Sequence, residues 1–243
     1  MSKAHNFIAQ AVGDDQVVIA SAGIVIVVAT LIGLSALRSL KNTKDPLVPD
    51  DKLSSRNFFE LVTVFIMQLS DSVMGKENRK YIPFVASLFI YLFFSNFIGL
   101  IPGLSGPTGS RIPDGLLFNL GVALTVFFAY HIWGLREVGF KSYISHFFGG
   151  SDFVKFPMII VGLMVFCIEL ISHSVRPVSL TLRLFGNMTG DHLVLEVFTD
   201  LTKLVIPVIF YGLGTFVSFM QAFVFTMLTM IYIGSAVAHE DHH

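Results

Sequence analysis

Charge is scarce in this chain. Only 14% of its 243 residues are Asp, Glu, Lys or Arg, against about 25% in soluble domains. There is one cysteine, Cys167, which excludes an intrachain disulfide, and no spacing of His, Cys, Asp or Glu forms a metal-binding pattern. No metal and no cofactor is therefore expected. The net charge is −1 and no basic tract is present, so nucleic acid is excluded as a partner. A phosphate-binding glycine loop and a nucleophile elbow are also missing. The chain alone is not expected to catalyse a covalent reaction. Met1 to Asp15 lacks a basic region leading into a short apolar core, so a cleaved signal peptide is not expected.

Apolar residues are abundant: 53% of the chain is hydrophobic, with a mean hydropathy of +0.73. Several runs approach or exceed the ~18 apolar residues of a spanning helix. The expected fold is an all-α polytopic membrane protein with about five membrane-crossing helices plus an interfacial helix. Spans are read at Val17–Leu37, Ile82–Ile101 and Leu116–Trp133, followed by two long segments, Met158 to about Ile206 and Pro207 to about Ala238. Arg56–Gly75 has Glu60, Thr63, Ser70 and Asp71 at helical spacing. It reads either as a helix in the membrane interface or as a short helix packed under the bundle. As one helix, Met158–Ile206 would measure about 70 Å against a hydrocarbon core of ~30 Å. It must tilt steeply or break, and Pro177 is the candidate kink.

Basic residues set the orientation. Eight lie between spans one and two: Arg38, Lys41, Lys44, Lys52, Arg56, Lys76, Arg79 and Lys80. Three follow span three, whereas Lys3, Arg111 and Lys203 fall singly on the other side. The positive-inside bias puts the rich loops in the cytoplasm. Residues 1–16 then form an outer N-terminal segment and residues 17–238 a single transmembrane helical domain. Within it, 38–80 and 134–157 are cytoplasmic loops or interfacial helices. The tail, 239–243, is cytoplasmic.

Met158–Phe198 is apolar enough for a membrane, yet carries Glu169, His173, Arg176, Arg183, Asn187, Asp191, His192 and Glu196. An ionisable group at the bilayer centre costs about 2.5–3.5 kcal/mol even on lenient scales. At ~100° per residue, Glu169, Ser172, Arg176, Ser179, Arg183 and Asn187 share one stripe, and His192 and Glu196 (i, i+4) lie on another face. Glu169 falls on the cytoplasmic side of Arg183 and His192 and Glu196 on the outer side. Two titratable groups divided by an arginine form two half-pathways for protons, because arginine does not deprotonate in proteins and cannot relay a proton. Structural alternatives stand beside these readings. Arg183 could form an ion pair with Glu169 or Asp191, and His192 could simply be packed. Gln221 could be an interhelical hydrogen bond, and Arg176 could reach headgroups or an acidic partner. Gly186, Gly190, Gly212 and Gly214 would permit close helix approach. Phe89, Phe93, Phe94 and Phe97 read as lipid or bundle contacts.

Arg176-Pro-Val-Ser-Leu-Thr-Leu-Arg183-Leu-Phe-Gly-Asn187-Met resembles the signature of subunit a of rotary F-type ATP synthases. Ile168-Glu169-Leu-Ile-Ser172, Ser95-Asn-Phe-Ile-Gly-Leu-Ile-Pro102 and Gln221-Ala-Phe-Val-Phe-Thr-Met-Leu-Thr are similar to that family too, in order, over residues 15–238. The resemblance implies that Arg183 is the essential arginine facing the rotating ring of c subunits, flanked by Asn187 and Gln221. It implies an outer half-channel at His192, with Glu196 and Asp191 beside it, and a cytoplasmic half-channel at Glu169, with Ser172 and Arg176. The implied partners are the c-subunit ring, the peripheral-stalk b subunits, the rest of the ATP synthase complex and membrane lipids. The implied location is the bacterial inner membrane. Two departures stand out. Gly214 sits where many members carry a complementary His or Glu, for which Glu196 could substitute. Asp191 sits where a small residue is expected. A self-contained secondary transporter or ion channel is the alternative; it would predict inverted repeats and a site at broken helices, neither of which is read in the sequence.

Overall fold

The computed structural model describes residues 7–13, 16–42, 55–101, 103–108, 113–140, 142–143, 158–201 and 205–237. The helices that build the molecule are α1 (Phe7–Val12), α2 (Val17–Asn42), α3 (Ser55–Val73), α4 (Ile82–Gly99), α5 (Asp114–Val138), α6 (Met158–Leu201) and α7 (Val205–Val237). No strand occurs among the described residues. Among the described residues, five stretches are long and apolar enough to cross a membrane: Val17–Ser35, Lys76–Gly99, Asp114–Val138, Val161–Leu195 and Val208–Val237. The protein is an all-α polytopic membrane protein, as its hydropathy predicts.

Backbone hydrogen bonding in a lipid interior must be satisfied within the segment, which helices achieve by themselves. Side chains then divide by face. Val85, Leu92, Ala123, Val126, Tyr130, Leu180, Leu184, Phe225, Met230 and Ile233 form one buried core shared by α4, α5, α6 and α7. Outward-facing positions such as Ile19, Val27, Ile168, Ile171 and Leu182 are exposed and apolar. On a soluble domain such a surface would be an association hazard; here it matches lipid.

The two readings of the segment after α2 are resolved by aromatic packing. Phe65 of α3 rests on Phe89 of α4 and on Phe219 and Phe223 of α7, and Val62 and Ile66 enter the common core. This helix is thus packed into the bundle. Phe89, with Phe93 stacked on it, is a bundle contact.

The helix α6 has 44 residues, so it is about 66 Å long and cannot stand upright in a ~30 Å core. Pro177 lies inside it without interrupting the helix. The Thr181 hydroxyl donates to the Pro177 carbonyl at 2.7 Å. Of the two outcomes foreseen for this segment, a break is not seen within Met158–Leu201.

Loop contacts tie the two ends of the bundle. At one end, the Phe7 amide donates to the Gly103 carbonyl at 3.0 Å, so the N-terminal helix and the α4–α5 loop lie on the same side. That loop folds back tightly: a Cβ at Gly106 would stand 2.7 Å from the Ser95 carbonyl oxygen. At the other end, Lys80 pairs with Glu137, and Arg79 pairs with Asp71 at 2.6 Å.

Candidate functional site

The buried Leu180, Leu184 and Met188 anchor the middle of α6 in the core, and Arg183 is held at their edge, half-exposed. It lines a cleft of about 260 Å³ between α6 and α7, together with Asn187, Phe216, Val217, Met220, Gln221 and Val224. The Asn187 amide donates to the Gln221 carbonyl oxygen at 2.7 Å. Gln221 is only 3% exposed, and its Nε2 has no partner. The interhelical hydrogen bond foreseen for Gln221 is therefore real, and it joins two of the residues singled out in the sequence. Arg183 makes no ion pair among the described residues: the carboxylate of Glu169 is engaged elsewhere, and that of Asp191 packs elsewhere. The ion-pair alternative for Arg183 is not what the fold contains.

Glycines around the cleft behave in two ways. A Cβ at Gly186, Gly190 or Gly212 would meet nothing within 4 Å among the described residues, so these three do not bring the described helices together. Gly214 does. A Cβ there would stand 2.7 Å from Asp191 Oδ2 and 2.7 Å from Leu100 Cδ2. The two departures noted in the sequence are thus one feature, with the Asp191 carboxylate of α6 occupying the space left by Gly214 of α7.

His192 follows at the same end. Its Nε2 is buried without a partner, 3.2 Å from the Cβ position of Gly99 in α4. On neighbouring elements, further buried polar atoms have no partner among the described residues: Ser95 Oγ, both amide atoms of Asn96, Thr108 Oγ1, Asn119 Oδ1 and Ser218 Oγ. Asn119 Nδ2 donates to the Thr108 carbonyl at 2.8 Å. Leaving such groups unsatisfied costs about 1–3 kcal/mol each, so they are unlike the apolar core around them. These residues carry no charge to single them out; the signal in the sequence is an amide and a hydroxyl side by side within the apolar run of α4, in the stretch from Ser95 to Pro102. Glu196 lies one helical turn beyond His192 in α6, and its side chain is outside the described residues.

The third group sits toward the start of α6. His173 Nε2 meets Glu169 Oε1 at 3.0 Å, and the Tyr130 hydroxyl of α5 meets His173 Nδ1 at 3.1 Å. His131 lies 5.1 Å from His173, ring to ring, with its own Nδ1 2.8 Å from the Phe127 carbonyl. The Arg176 guanidinium lies 4.8 Å from the Tyr232 ring centre and 5.8 Å from that of Tyr130. Arg176 thus rests on aromatic faces rather than on an acidic side chain among the described residues. Ser172 is exposed, away from this cluster. Tyr130, His131 and Tyr232 were not foreseen, because residues brought together from different helices leave no periodic signal.

Along α6, Glu169 and Arg183 are 14 residues apart and Arg183 and His192 nine, or about 21 and 13 Å of helix. Arg183 therefore separates two polar groups at opposite ends of the bundle. Glu169 and Tyr130 lie toward the Lys80–Glu137 end, and His192 and Asp191 toward the Phe7–Gly103 end.

Comparison with known proteins converges with this geometry. Residues 19–234 match the family model described as ATP synthase A chain. Over 231 residues, 95% of either chain, the sequence is 41% identical to ATP synthase subunit a of Bdellovibrio bacteriovorus. It is 39% identical to the subunit a of Solibacter usitatus over 88% of this chain and 85% of that one. The subunit a of Campylobacter jejuni is likewise 39% identical, over 91% and 90% of the two chains. With the family model spanning nearly the whole chain and relatives alike from end to end, the chain belongs to the ATP synthase A chain family.

Proposed function

We propose that this chain is the non-catalytic, proton-conducting stator subunit of a bacterial F-type ATP synthase. In this reading it crosses the inner membrane with its N-terminus outside and its C-terminus in the cytoplasm. Its open α6–α7 face meets a ring of c subunits, and its other surfaces meet peripheral-stalk b subunits and lipid. The observation that carries the reading is Arg183: a permanent cation, unpaired within the described chain, at the mouth of a cleft between two separated polar groups.

The chemistry follows from charge in lipid. A proton enters from outside through the polar region around His192, Asp191, Asn96 and Asn119, with Glu196 beside it. It neutralises a ring carboxylate, which can then turn into lipid where an ionised one would be too costly. After nearly a full rotation that carboxyl comes to the Glu169 side and releases its proton to the cytoplasm. The ionised carboxylate is drawn to Arg183. The Asn187–Gln221 pair lines the cleft beside it. Arg183 cannot deprotonate, so it blocks direct passage between the half-channels. Each proton crossing ~100 mV supplies about 2.3 kcal/mol, so several are needed per ATP made elsewhere in the complex.

The test is Arg183→Ala in membrane vesicles carrying the assembled complex. ATP-driven proton pumping should be lost while assembly is retained. Substantial coupled pumping in that variant would overturn the mechanism.

A further inference from the structure

We propose that His173, held by Tyr130, is a positioning residue for the Glu169 carboxylate, fixing it in place at the cytoplasmic mouth and keeping it from pairing with Arg176. The inference rests on the reading of Glu169 as a member of the cytoplasmic half-channel.

With Glu169 ionised and the His173 ring neutral, the geometry sets the direction of each hydrogen bond. A Glu169 carboxylate offers only acceptors, so His173 Nε2 carries the hydrogen and donates to Oε1 across 3.0 Å. Nδ1 is then a bare lone pair, and the Tyr130 hydroxyl donates to it across 3.1 Å. The imidazole is locked in one tautomer and one orientation from both sides. Its position is rigid because Tyr130 is 1% exposed and His173 9%. Glu169 differs: its side chain is 29% exposed, so it sits at the edge of the packed cluster.

The neighbouring cation is restrained by the same tyrosine. Arg176 lies two turns along α6 from Glu169 and is long enough to approach it, yet its guanidinium is spread over Tyr130 and Tyr232. Within the described chain the partner of Glu169 is His173. Tyr130 therefore serves two purposes, bracing the histidine with its hydroxyl and drawing the arginine away with its ring face. A carboxylate captured by Arg176 would be a fixed ion pair, closed to proton exchange. Among the described residues, the ionisable groups around His173 include Glu169 and Arg176 on α6, Tyr130 and His131 on α5, Tyr232 on α7, and Tyr143 beyond α5, 6.1 Å from the His131 ring. None of the others supplies the contact that His173 makes to Glu169.

The experiment compares variants of opposite character in vesicles carrying the whole complex, measuring ATP-driven proton pumping per assembled complex. His173→Leu keeps an apolar body and loses both hydrogen bonds. Its pumping should fall about ten- to a hundredfold, the scale of one charge-assisted hydrogen bond. His173→Gln keeps one donor and one acceptor and cannot carry a proton as imidazole can. It should pump within about twofold of the wild type. A side chain that merely filled space would tolerate leucine better than glutamine. In a Glu169→Gln background, His173→Leu should cause no further loss. Tyr130→Phe should slow pumping about two- to threefold, the scale of one neutral hydrogen bond, and serves as the readout where His173→Leu does not assemble. Wild-type rates in His173→Leu or Tyr130→Phe, a glutamine variant as slow as the leucine one, or additive losses with Glu169→Gln would each overturn the inference. Arg183→Ala measured alongside keeps the failures apart. If it abolishes pumping while His173→Leu does not slow it, only the positioning role falls; if Arg183→Ala still pumps, the half-channel reading itself falls.

Discussion

The hydrogen bond between Asn187 and Gln221 is predicted to be energetically lopsided. Gln221 is 3% exposed, its Nε2 already lacks a partner, and its Oε1 is satisfied only through Asn187 at 2.7 Å. Asn187→Ala therefore strands the whole buried amide. The expected destabilisation is about 1–3 kcal/mol, the cost of an unsatisfied buried polar group. Gln221→Leu removes the buried amide altogether and fills much of its volume with carbon. What it strands is Asn187, which lies at the cleft beside Arg183 rather than in the packed core. Its expected cost is below about 1 kcal/mol. The double variant should be more stable than Asn187→Ala alone, since no orphan remains. The assay is thermal release of this chain from the detergent-solubilised complex. Stability rather than pumping is the readout, because both residues line the Arg183 cleft and both changes would also affect transport. A Gln221→Leu complex less stable than Asn187→Ala, or a double variant worse than either, would refute the reasoning.

His192→Ala and Glu196→Ala should each slow proton-driven ATP synthesis without dismantling the complex, the first more than the second; wild-type synthesis rates in both would remove them from the inlet. A cysteine placed at Ser39 or Asn78 should react with an impermeant thiol reagent from the cytoplasmic side and one at Ser110 from outside; the opposite pattern would exchange inlet and outlet. At the rim, the Arg79 hydrogen bond holds the Asp71 carboxyl below its ordinary value of 3.8. A depressed carboxyl contributes stability that is present above the unfolded value and is lost as pH falls through the folded one. The small stability difference between wild type and Asp71→Asn should thus be constant near neutrality and shrink only below about pH 4; a difference growing with acidity would contradict the assignment.

Much of the fold was legible because lipid imposes a simple rule: runs of ~18 apolar residues become helices. The spans at Val17, Ile82 and Leu116 follow from it, as does the great length of α6. What the rule leaves open is which helix touches which. Whether α3 lies in the interface or in the bundle depends on Phe65 meeting Phe89 and Phe219, contacts between residues distant in sequence. The same holds for Tyr130 and His173, 43 positions apart. Asp191 and Gly214 were conspicuous separately, and only packing unites them, since a carboxylate fills a space whose emptiness in the sequence reads as a loss. Arg176 illustrates a third limit. Its charge is legible, but its resting place on two tyrosine faces depends on helices α5 and α7.

The length of α6 has a kinematic consequence under the proposed function, in which the helix must slant through the membrane. A helix about 66 Å long that descends only ~30 Å runs nearly 60 Å sideways. Depth and lateral position are then locked together along it: moving from Glu169 to His192 changes both at once. The two mouths serving a rotor would accordingly be displaced around its circumference, not merely above and below one another. A ring beside such a wall is offered a proton at one angle and relieved of it at another. The sign of that angular offset is set by which way the helix leans. The mirror-image lean would reverse the sense of rotation for the same proton gradient, so the handedness of the motor would reside in the inclination of a single helix.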